Sequence, residues 1–118
     1  MTFVEAITTC LKKYVDFNGR ARRSEYWYFA LFDFIVSLVV NIIARATGLK
    51  FLTALVSLAF LLPGLAVGAR RLHDIGYSGL RLLLGLIPIV GEIILIVYFV
   101  RDSEPGSNMY GANPKEGY

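Results

Sequence analysis

Apolar residues in this chain are concentrated in three long blocks that short polar segments separate. The blocks cover residues 26–44, 51–69 and 82–100, and each would span roughly 28 Å as an α-helix. A helix needs about 20 mostly apolar residues to cross the hydrocarbon core of a bilayer. The pattern therefore predicts an all-α membrane protein in which residues 1–118 form one domain with three transmembrane helices.

Proline and glycine interrupt the second and third blocks. Pro63 has no amide hydrogen and leaves the carbonyl of Ala59 without its helical donor, so we expect a kink in the second helix. The third block contains Gly85, Pro88 and Gly91, and these residues favour a kink there as well. A re-entrant hairpin is the alternative to a kinked third span.

The segment before the first block has the periodicity of an amphipathic helix. Within residues 2–16, apolar side chains recur so that they share one helix face; they are Phe3, Ile7, Cys10, Leu11 and Tyr14. Such a helix either lies in the membrane interface with its lysines toward anionic headgroups or packs on the rest of the protein. The sequence leaves both interpretations open, and both can hold together.

Turn and capping signals lie between the amphipathic helix and the first block. Asn18-Gly19 favours a turn. Ser24 is a candidate N-cap for the first transmembrane helix, because its hydroxyl can accept a hydrogen bond from an unpaired amide of the first turn.

Similar signals follow the second block. Residues 70–81 are predicted to be a polar loop, but we expect the second helix to run past residue 69 and to end near Ile75, with Gly76 as the residue that terminates it. Ser78 can then cap the third helix. Residues 101–118, rich in Gly, Pro, Asn and Ser, are predicted to form an irregular polar tail.

Composition agrees with a membrane protein. Hydrophobic residues make up 56% of the chain and charged residues 18%, against about 45–50% and about 25% in soluble domains. The single cysteine, Cys10, excludes an internal disulfide and does not suggest a metal cluster.

The basic residues predict the orientation in the membrane. A three-span topology places the N-terminal segment and loop 70–81 on one side, with eight of the 12 Lys and Arg residues. The positive-inside rule assigns that side to the cytoplasm. The N-terminus is then cytoplasmic and the tail lies outside, whereas a re-entrant third block would return the tail to the cytoplasm.

This topology brings two polar motifs together on the cytoplasmic side. Asp74 lies near the C-terminal end of a helix, where the macrodipole disfavours an anion, so it needs positive partners or the amides of Gly76 and Tyr77. We expect a structural salt-bridge cluster, and the alternative is that the same arginines hold a lipid phosphate or a small anion. The candidate residues are Arg20, Arg22, Arg23, Glu25, Arg70, Arg71, His73 and Asp74.

His73 and Asp74 also suggest catalysis, but weakly. Adjacent residues on a helix project about 100° apart, so they do not form a ready-made dyad. No nucleophile with a recognisable elbow or spacing accompanies them. We therefore expect no catalytic, cofactor-binding or metal site and no nucleic-acid-binding module, and a membrane enzyme using His73 and Asp74 is the least favoured function.

Three polar residues fall inside the predicted spans: Asp33, Asn41 and Glu92. We expect Asp33 to pair with Arg70 or Arg71, or to stay neutral and bond the carbonyl that Pro63 leaves free. Glu92 is protonated, bonds a neighbouring helix or subunit, or faces a wet cavity. Because so short a chain has little room to bury these acids, the expected partners are the lipid bilayer, anionic lipids included, and a second copy of the chain or another membrane protein.

Several stretches resemble one known family. They are 17–27 (Phe-Asn-Gly-Arg-Ala-Arg-Arg-Ser-Glu-Tyr-Trp), Leu62-Pro63, 70–79 (Arg-Arg-Leu-His-Asp-Ile-Gly-Tyr-Ser-Gly), Ile87-Pro88 and 108–111 (Asn-Met-Tyr-Gly). Together they are similar to the domain-of-unknown-function 805 (DUF 805) family of small bacterial inner-membrane proteins. Members often have a Trp soon after the loop, where this chain has Leu80-Arg81-Leu82. The resemblance implies a multi-pass inner-membrane location and a similar threading, and it implies no catalytic residue.

Overall fold

The computed structural model describes residues 1–115, so the last three residues of the predicted tail, 116–118, lie outside the described residues. The regular secondary structure of the described residues is all helical, as predicted. Four α-helices and one 3-10 helix follow each other in the order α1 (Phe3–Lys12), α2 (Arg23–Thr47), α3 (Phe51–Asp74), η1 (Gly79–Leu86) and α4 (Val90–Phe99).

Helix α1 begins at a capping box in which Thr2 and Glu5 each bond the backbone of the other, an arrangement that satisfies two unpaired amides. It is shorter than the predicted 2–16. Ala6 and Cys10 are buried, whereas Leu11 is 51% exposed, so the packed face contains Ala6 and leaves out Leu11, which was predicted to lie on it. The helix packs on α2, and its contact with lipid headgroups stays a prediction.

Helices α2 and α3 form the hairpin expected from the first two apolar blocks. Gly48, with φ of 75°, terminates α2 in the left-handed conformation. Both helices are long and apolar enough to cross a membrane, and both extend beyond the predicted spans. Helix α3 ends as expected, with Ile75 as the C-cap and Gly76 at φ of 85°.

The start of α2 corrects one expectation. Arg22 occupies the N-cap position and Ser24 is already in the first turn, so the prediction that Ser24 caps this helix is wrong. The chain enters the helix earlier because the amide of Ala21 is held by the carbonyl of Arg70 at 2.9 Å. Ser78 does cap η1, since its hydroxyl accepts from the amide of Leu80.

Pro63 lies inside α3, and the helix continues through it. The carbonyl of Ala59, which proline deprives of its helical donor, accepts a hydrogen bond from the Tyr14 hydroxyl instead. The segment just after α1 is thus tied to the middle of α3, and the predicted kink stays a prediction.

Residues 82–100 correct the expectation of a single third transmembrane helix. They are divided between η1 and α4, which pack against each other as an antiparallel helical hairpin. Arg81 donates to the Tyr98 hydroxyl at 3.2 Å near the open end, and Gly91 lies against Leu84 near the closed end. The eight residues of η1 and the ten of α4 give two arms of about 16 Å and 15 Å.

The hairpin depends on a close approach that only glycine allows. A Cβ at Gly91 would lie 1.6 Å from the carbonyl oxygen of Leu84. The turn just before it includes Pro88 and places Ile89 at φ of 66°, a value that a β-branched residue rarely adopts. The proline and glycines that suggested a kink therefore reverse the chain.

The reversal corrects the predicted position of the tail as well. Ser103 donates to Asp74 at 2.6 Å, and Asn108 donates to the carbonyl of His73 at 2.9 Å. The tail therefore lies at the same end of the molecule as the C-terminus of α3, as the alternative re-entrant arrangement required.

We expect Gly91→Ala to open or distort this hairpin, because the added methyl group collides with backbone rather than with a flexible side chain. Overpacking of this kind costs about 1–3 kcal/mol or more. Thermal unfolding in mild detergent, followed by circular dichroism, should show a lower Tm. Gly85→Ala is the matched control, since its methyl group would lie 3.4 Å from the side chain of Leu95. An unchanged Tm for Gly91→Ala would contradict the hairpin geometry.

Candidate functional site

Three distant parts of the chain meet at the C-terminal end of α3. They are the segment entering α2, the last turn of α3 and the tail. Their charged side chains form a buried cluster, which we call the arginine cluster, consisting of Arg20, Glu25, Arg70, Arg71 and Asp74. All five were candidates from the sequence.

The carboxylate of Asp74 is the centre of this cluster and is fully buried. One oxygen accepts from Arg20 Nε at 2.9 Å, and the other accepts from Arg71 Nη1 at 2.9 Å and from the Ser103 hydroxyl at 2.6 Å. These donors replace the expected amides of Gly76 and Tyr77, which bond carbonyls of α3. Charge-assisted bonds of this kind are about twice as strong as neutral ones.

Arg20 connects the last turn of α3 to the tail. Besides Asp74, its guanidinium donates to the carbonyls of Glu104 at 2.6 Å and Gly106 at 2.8 Å. A longer bond of 3.3 Å reaches the carbonyl of Gly111. Every nitrogen of the guanidinium thus has an acceptor within the protein.

Arg71 connects the same turn to the end of the hairpin. Its Nε donates to the carbonyl of Phe99 at 3.1 Å, and its Nη2 donates to the carbonyl of Arg101. A planar guanidinium presents donors in a fixed fork, so Arg71 holds the backbone on both sides of residue 100 in one orientation.

Arg70 forms a separate pair on the opposite side of the cluster. Its Nη1 bonds Glu25, and Cys10 of α1 lies 3.7 Å from the same carboxylate. Burial, reinforced by the nearby Glu25 carboxylate, raises the pKa of the Cys10 thiol to about 12, so this thiol is protonated at neutral pH. Sequence reasoning missed Cys10 as a neighbour because α1 was not placed against the arginines.

His73 lies at the edge of the cluster and is engaged on two sides. Its Nδ1 lies 2.9 Å from the carbonyl oxygen of Gly19, and its ring stacks on Tyr110 with centroids 4.0 Å apart. A carbonyl only accepts, so Nδ1 carries a proton in this arrangement. Tyr110 and Ser103 were missed because the three-span topology placed the tail on the other side of the membrane.

The remaining candidates are dispersed. Arg22 and Arg23 lie outside the buried set, at the surface around the start of α2. The predicted pairing of Asp33 with Arg70 or Arg71 is wrong, since Arg70 bonds Glu25 and Asp33 accepts from Ser37 at 3.0 Å. The other two intramembrane candidates, Asn41 and Glu92, are half-buried and exposed, respectively.

The cluster buries three cations and two anions. Removing charges from water is costly, and the attraction between them offsets this cost only where the geometry is good and further hydrogen bonds are made. The carbonyls of the tail and of residues 99 and 101 supply those bonds to Arg20 and Arg71, whereas Nε and Nη2 of Arg70 are buried without a hydrogen-bond partner among the described residues. Among the described residues, no group of three or more His, Cys, Asp and Glu side chains is close enough to hold a metal ion. The arrangement is therefore suited to clamping chain segments together.

Comparison with known proteins gives one family match and close curated relatives. The model of the family described as "Protein of unknown function (DUF805)" matches residues 14–112. The chain is 47% identical over 109 residues to inner membrane protein YhaI of Escherichia coli K12, covering 91% of this chain and 92% of that protein. It is 42% identical over 111 residues to inner membrane protein YhaH of the same strain, covering 89% and 92%. No solved structure matches.

We expect Asp74→Asn to be strongly destabilising, because it leaves Arg20 and Arg71 buried without their shared counter-charge. Breaking a buried ion pair from one side costs about 3–5 kcal/mol. Denaturant or thermal unfolding in detergent measures this loss. Asp16→Asn is the control, because Asp16 is half-buried outside the cluster and accepts the nearby amide of Asn18 at 2.9 Å, a bond that an Asn side chain can also accept. Equal stability of the two variants would show that the cluster does not hold the fold together.

Proposed function

The chain belongs to the DUF805 family of proteins of unknown function, and from that premise we propose that it is a non-enzymatic, multi-pass protein of the bacterial inner membrane that acts by association within the bilayer. The observation that carries this proposal is a polar groove between two otherwise apolar membrane-length helices. The named relatives are inner membrane proteins, which supports the location.

The surface of α2 and α3 supports immersion in lipid. Large apolar side chains point outward along both helices, for example Phe34 at 65% and Leu58 at 66% exposure. Extended exposed apolar surface on a single chain marks a contact with membrane or with another protein. Helices of 25 and 24 residues span about 37 Å, enough to cross the hydrocarbon core of about 30 Å.

The hairpin of η1 and α4 favours a re-entrant topology. Its arms of about 15 Å reach about halfway through the hydrocarbon core, and its outer side chains are mostly apolar, with Glu92 in the first turn of α4 the exposed acidic residue. Both ends of the hairpin then return to the side where α3 ends. The N-terminal segment, the arginine cluster and the tail share that side.

The distribution of basic residues supports a cytoplasmic N-terminus more strongly in this topology than in a three-span one. Ten of the 12 Lys and Arg residues lie on the side of the arginine cluster, and the other two, Arg45 and Lys50, lie at the opposite end. The positive-inside rule then assigns the cluster side to the cytoplasm.

The arginine cluster supports a structural role for the motif 70–79 and disfavours catalysis. Asp74 does not orient His73 as a His–Asp mechanism requires, since both of its oxygens accept from arginine or serine and His73 Nδ1 meets the carbonyl of Gly19 instead. A general base must reach its substrate within hydrogen-bond distance, and Asp74 is enclosed by protein.

The groove between α2 and α3 supports association within the bilayer. It has a volume of about 410 Å³, and polar and small residues line its walls: Asp33, Ser37, Ser57 and Gly64 among Phe60, Leu61 and Leu65. An ionisable residue facing hydrocarbon is costly, and small and hydroxyl residues are typical of helix–helix interfaces in membranes. A second copy of the chain, presenting the same groove, covers Asp33.

The topology is tested by cysteine labelling in a Cys10→Ala background. Single substitutions Asn18→Cys, Ser107→Cys and Leu49→Cys report on the N-terminal segment, the tail and the α2–α3 link. We expect an impermeant maleimide to reach the first two only from the cytoplasmic side, and Leu49→Cys only from the other side. Labelling of Ser107→Cys together with Leu49→Cys would restore the three-span topology and overturn the re-entrant one.

The association is tested by native mass spectrometry from mild detergent. We expect a dimer or larger species for the natural sequence and a monomer for Ser57→Phe, whose ring fills the groove. Leu58→Phe is the matched control, because Leu58 is 66% exposed and does not line the groove. A strictly monomeric natural protein would contradict the proposed association within the bilayer.

A further inference from the structure

A second positively charged site lies beside the arginine cluster, at the start of α2. It is a small cavity of about 130 Å³ lined by Arg22, Arg23, Ser24, Asp102 and Lys115. Three cationic residues and one acidic residue line it, so the walls of the cavity are predominantly positive. None of these residues contributes a side chain to the arginine cluster.

The walls of the cavity are rich in hydrogen-bond donors. The Ser24 hydroxyl oxygen is shielded from solvent, and among the described residues it has no hydrogen-bond partner. No side-chain hydrogen bond caps α2 within the described chain, so the first-turn amides of this 25-residue helix point toward the same region. Helix N-termini attract anions through such amides and through the macrodipole.

Asp102 partly fills the role of an anion in this cavity. Its carboxylate accepts from Lys115 Nζ at 2.7 and 2.9 Å and lies 3.9 Å from Arg23, and the bond from Lys115 lowers the pKa of Asp102. The side chains of Arg23, Asp102 and Lys115 are 49%, 54% and 39% exposed. Ion pairs this exposed contribute little to stability, so a more strongly charged anion can displace Asp102.

An apolar groove adjoins the cavity and shares two of its residues. It has a volume of about 390 Å³ and is lined by Arg23, Ser24, Trp27, Tyr28 and Val100. Residues four positions apart stack on one helix face, which places Trp27 below Arg23 and Tyr28 below Ser24. The indole nitrogen of Trp27 already donates to the carbonyl of Phe99, so Trp27 offers the groove an apolar ring surface.

The pairing of a cationic cavity with an apolar aromatic groove points to an amphiphilic ligand. We propose that this site binds an anionic phospholipid, with the phosphate in the cavity against Arg23 and Ser24 and an acyl chain along Trp27 and Tyr28. Trp and Tyr are typical of the headgroup level of a membrane, and arginine pairs bind phosphate well. The proposal rests on the membrane location proposed above.

The site differs from the arginine cluster that the sequence suggested for lipid binding. In that cluster, the donors of Arg20 and Arg71 are occupied by Asp74 and backbone carbonyls. Arg23 has one such bond, to the carbonyl of Val100 at 3.1 Å, and the loose contact with Asp102. A phosphate can therefore reach Arg23 without dismantling the fold.

The chain contains one tryptophan, Trp27, so its fluorescence reports directly on the groove. The full-length protein is reconstituted in phosphatidylcholine vesicles that contain a small fraction of phosphatidylglycerol with brominated acyl chains, which quench nearby indoles. We expect stronger quenching than when the bromine is carried by the same fraction of phosphatidylcholine. Equal quenching by the two lipids would overturn the proposal.

Variants with opposite expected effects separate binding from misfolding. Arg23→Gln and Ser24→Ala should weaken selective quenching, by about tenfold in affinity for the lost arginine. Asp102→Asn should strengthen it, since the competing carboxylate is removed. Arg45→Gln, at the other end of α2, is the matched control and should leave it unchanged. If Asp102→Asn weakens binding or Arg23→Gln does not, the assignment is wrong.

Two further measurements distinguish a lipid site from a free-anion site, and a failure of this proposal from a failure of the membrane location. If millimolar inorganic phosphate abolishes the selective quenching, the cavity is a free-anion site and the lipid assignment is overturned. If the protein does not insert, Trp27 is quenched by neither brominated lipid, and the membrane location fails rather than this site alone. Inserted protein quenched equally by both lipids overturns the lipid site and leaves the membrane location intact.

Discussion

The carboxylate of Asp74 is the constraint on which the rest of the structure depends. It is fully buried, and its two oxygens hold Arg20 and Arg71, which in turn hold the tail and the end of the hairpin through backbone carbonyls. A buried carboxylate with three side-chain donors allows one arrangement of those segments. Removing either arginine leaves the buried carboxylate with one charge-assisted bond fewer, which is why the cluster can specify a geometry even where its net stabilisation is small.

This constraint decides the path of the last apolar block. By hydropathy alone, residues 82–100 favour a third crossing, which would carry residue 100 to the far side of the molecule. Arg71 instead bonds the carbonyls of Phe99 and Arg101, and the glycine at 91 lets the backbone approach Leu84 closely enough to reverse. Hydrophobicity favours burial of this segment in either path, so the directional hydrogen bonds select between them.

The features that were predictable from the sequence are those that depend on interactions between residues close together in the chain or on charge. The length of the apolar blocks predicts the two long helices, and a glycine that can adopt the left-handed conformation predicts the end of α3 at Gly76. The need for charge compensation predicts that Arg20, Arg70 and Arg71 lie close to acidic residues. The Ser24 cap, the Asp33 pair and a single helix over residues 82–100 were wrong. The Asp33 pair fails because Arg70 bonds Glu25, and the other two depend on where Ala21 and the tail lie. Those positions are fixed by hydrogen bonds to backbone carbonyls, from the amide of Ala21 and from the side chains of Arg20 and Arg71. A backbone carbonyl carries no residue-specific signal in a sequence.

Arg20 and Arg23 are close in the sequence but lie in different environments, because the chain changes from an extended segment to a helix between them. Ala21 is held on both sides by α3, its amide by the carbonyl of Arg70 and its carbonyl by Arg71, and this directs Arg20 inward. The helix then begins, and its 3.6-residue period separates Glu25, which faces Arg70, from Arg23 and Trp27, which share the other face. The inward face is enclosed by protein, whereas the outward face presents charge above an aromatic surface. A membrane surface has the same order, with charged headgroups above apolar acyl chains. The short segment 20–27 can therefore hold the fold together on its inward face and contact lipid on its outward face.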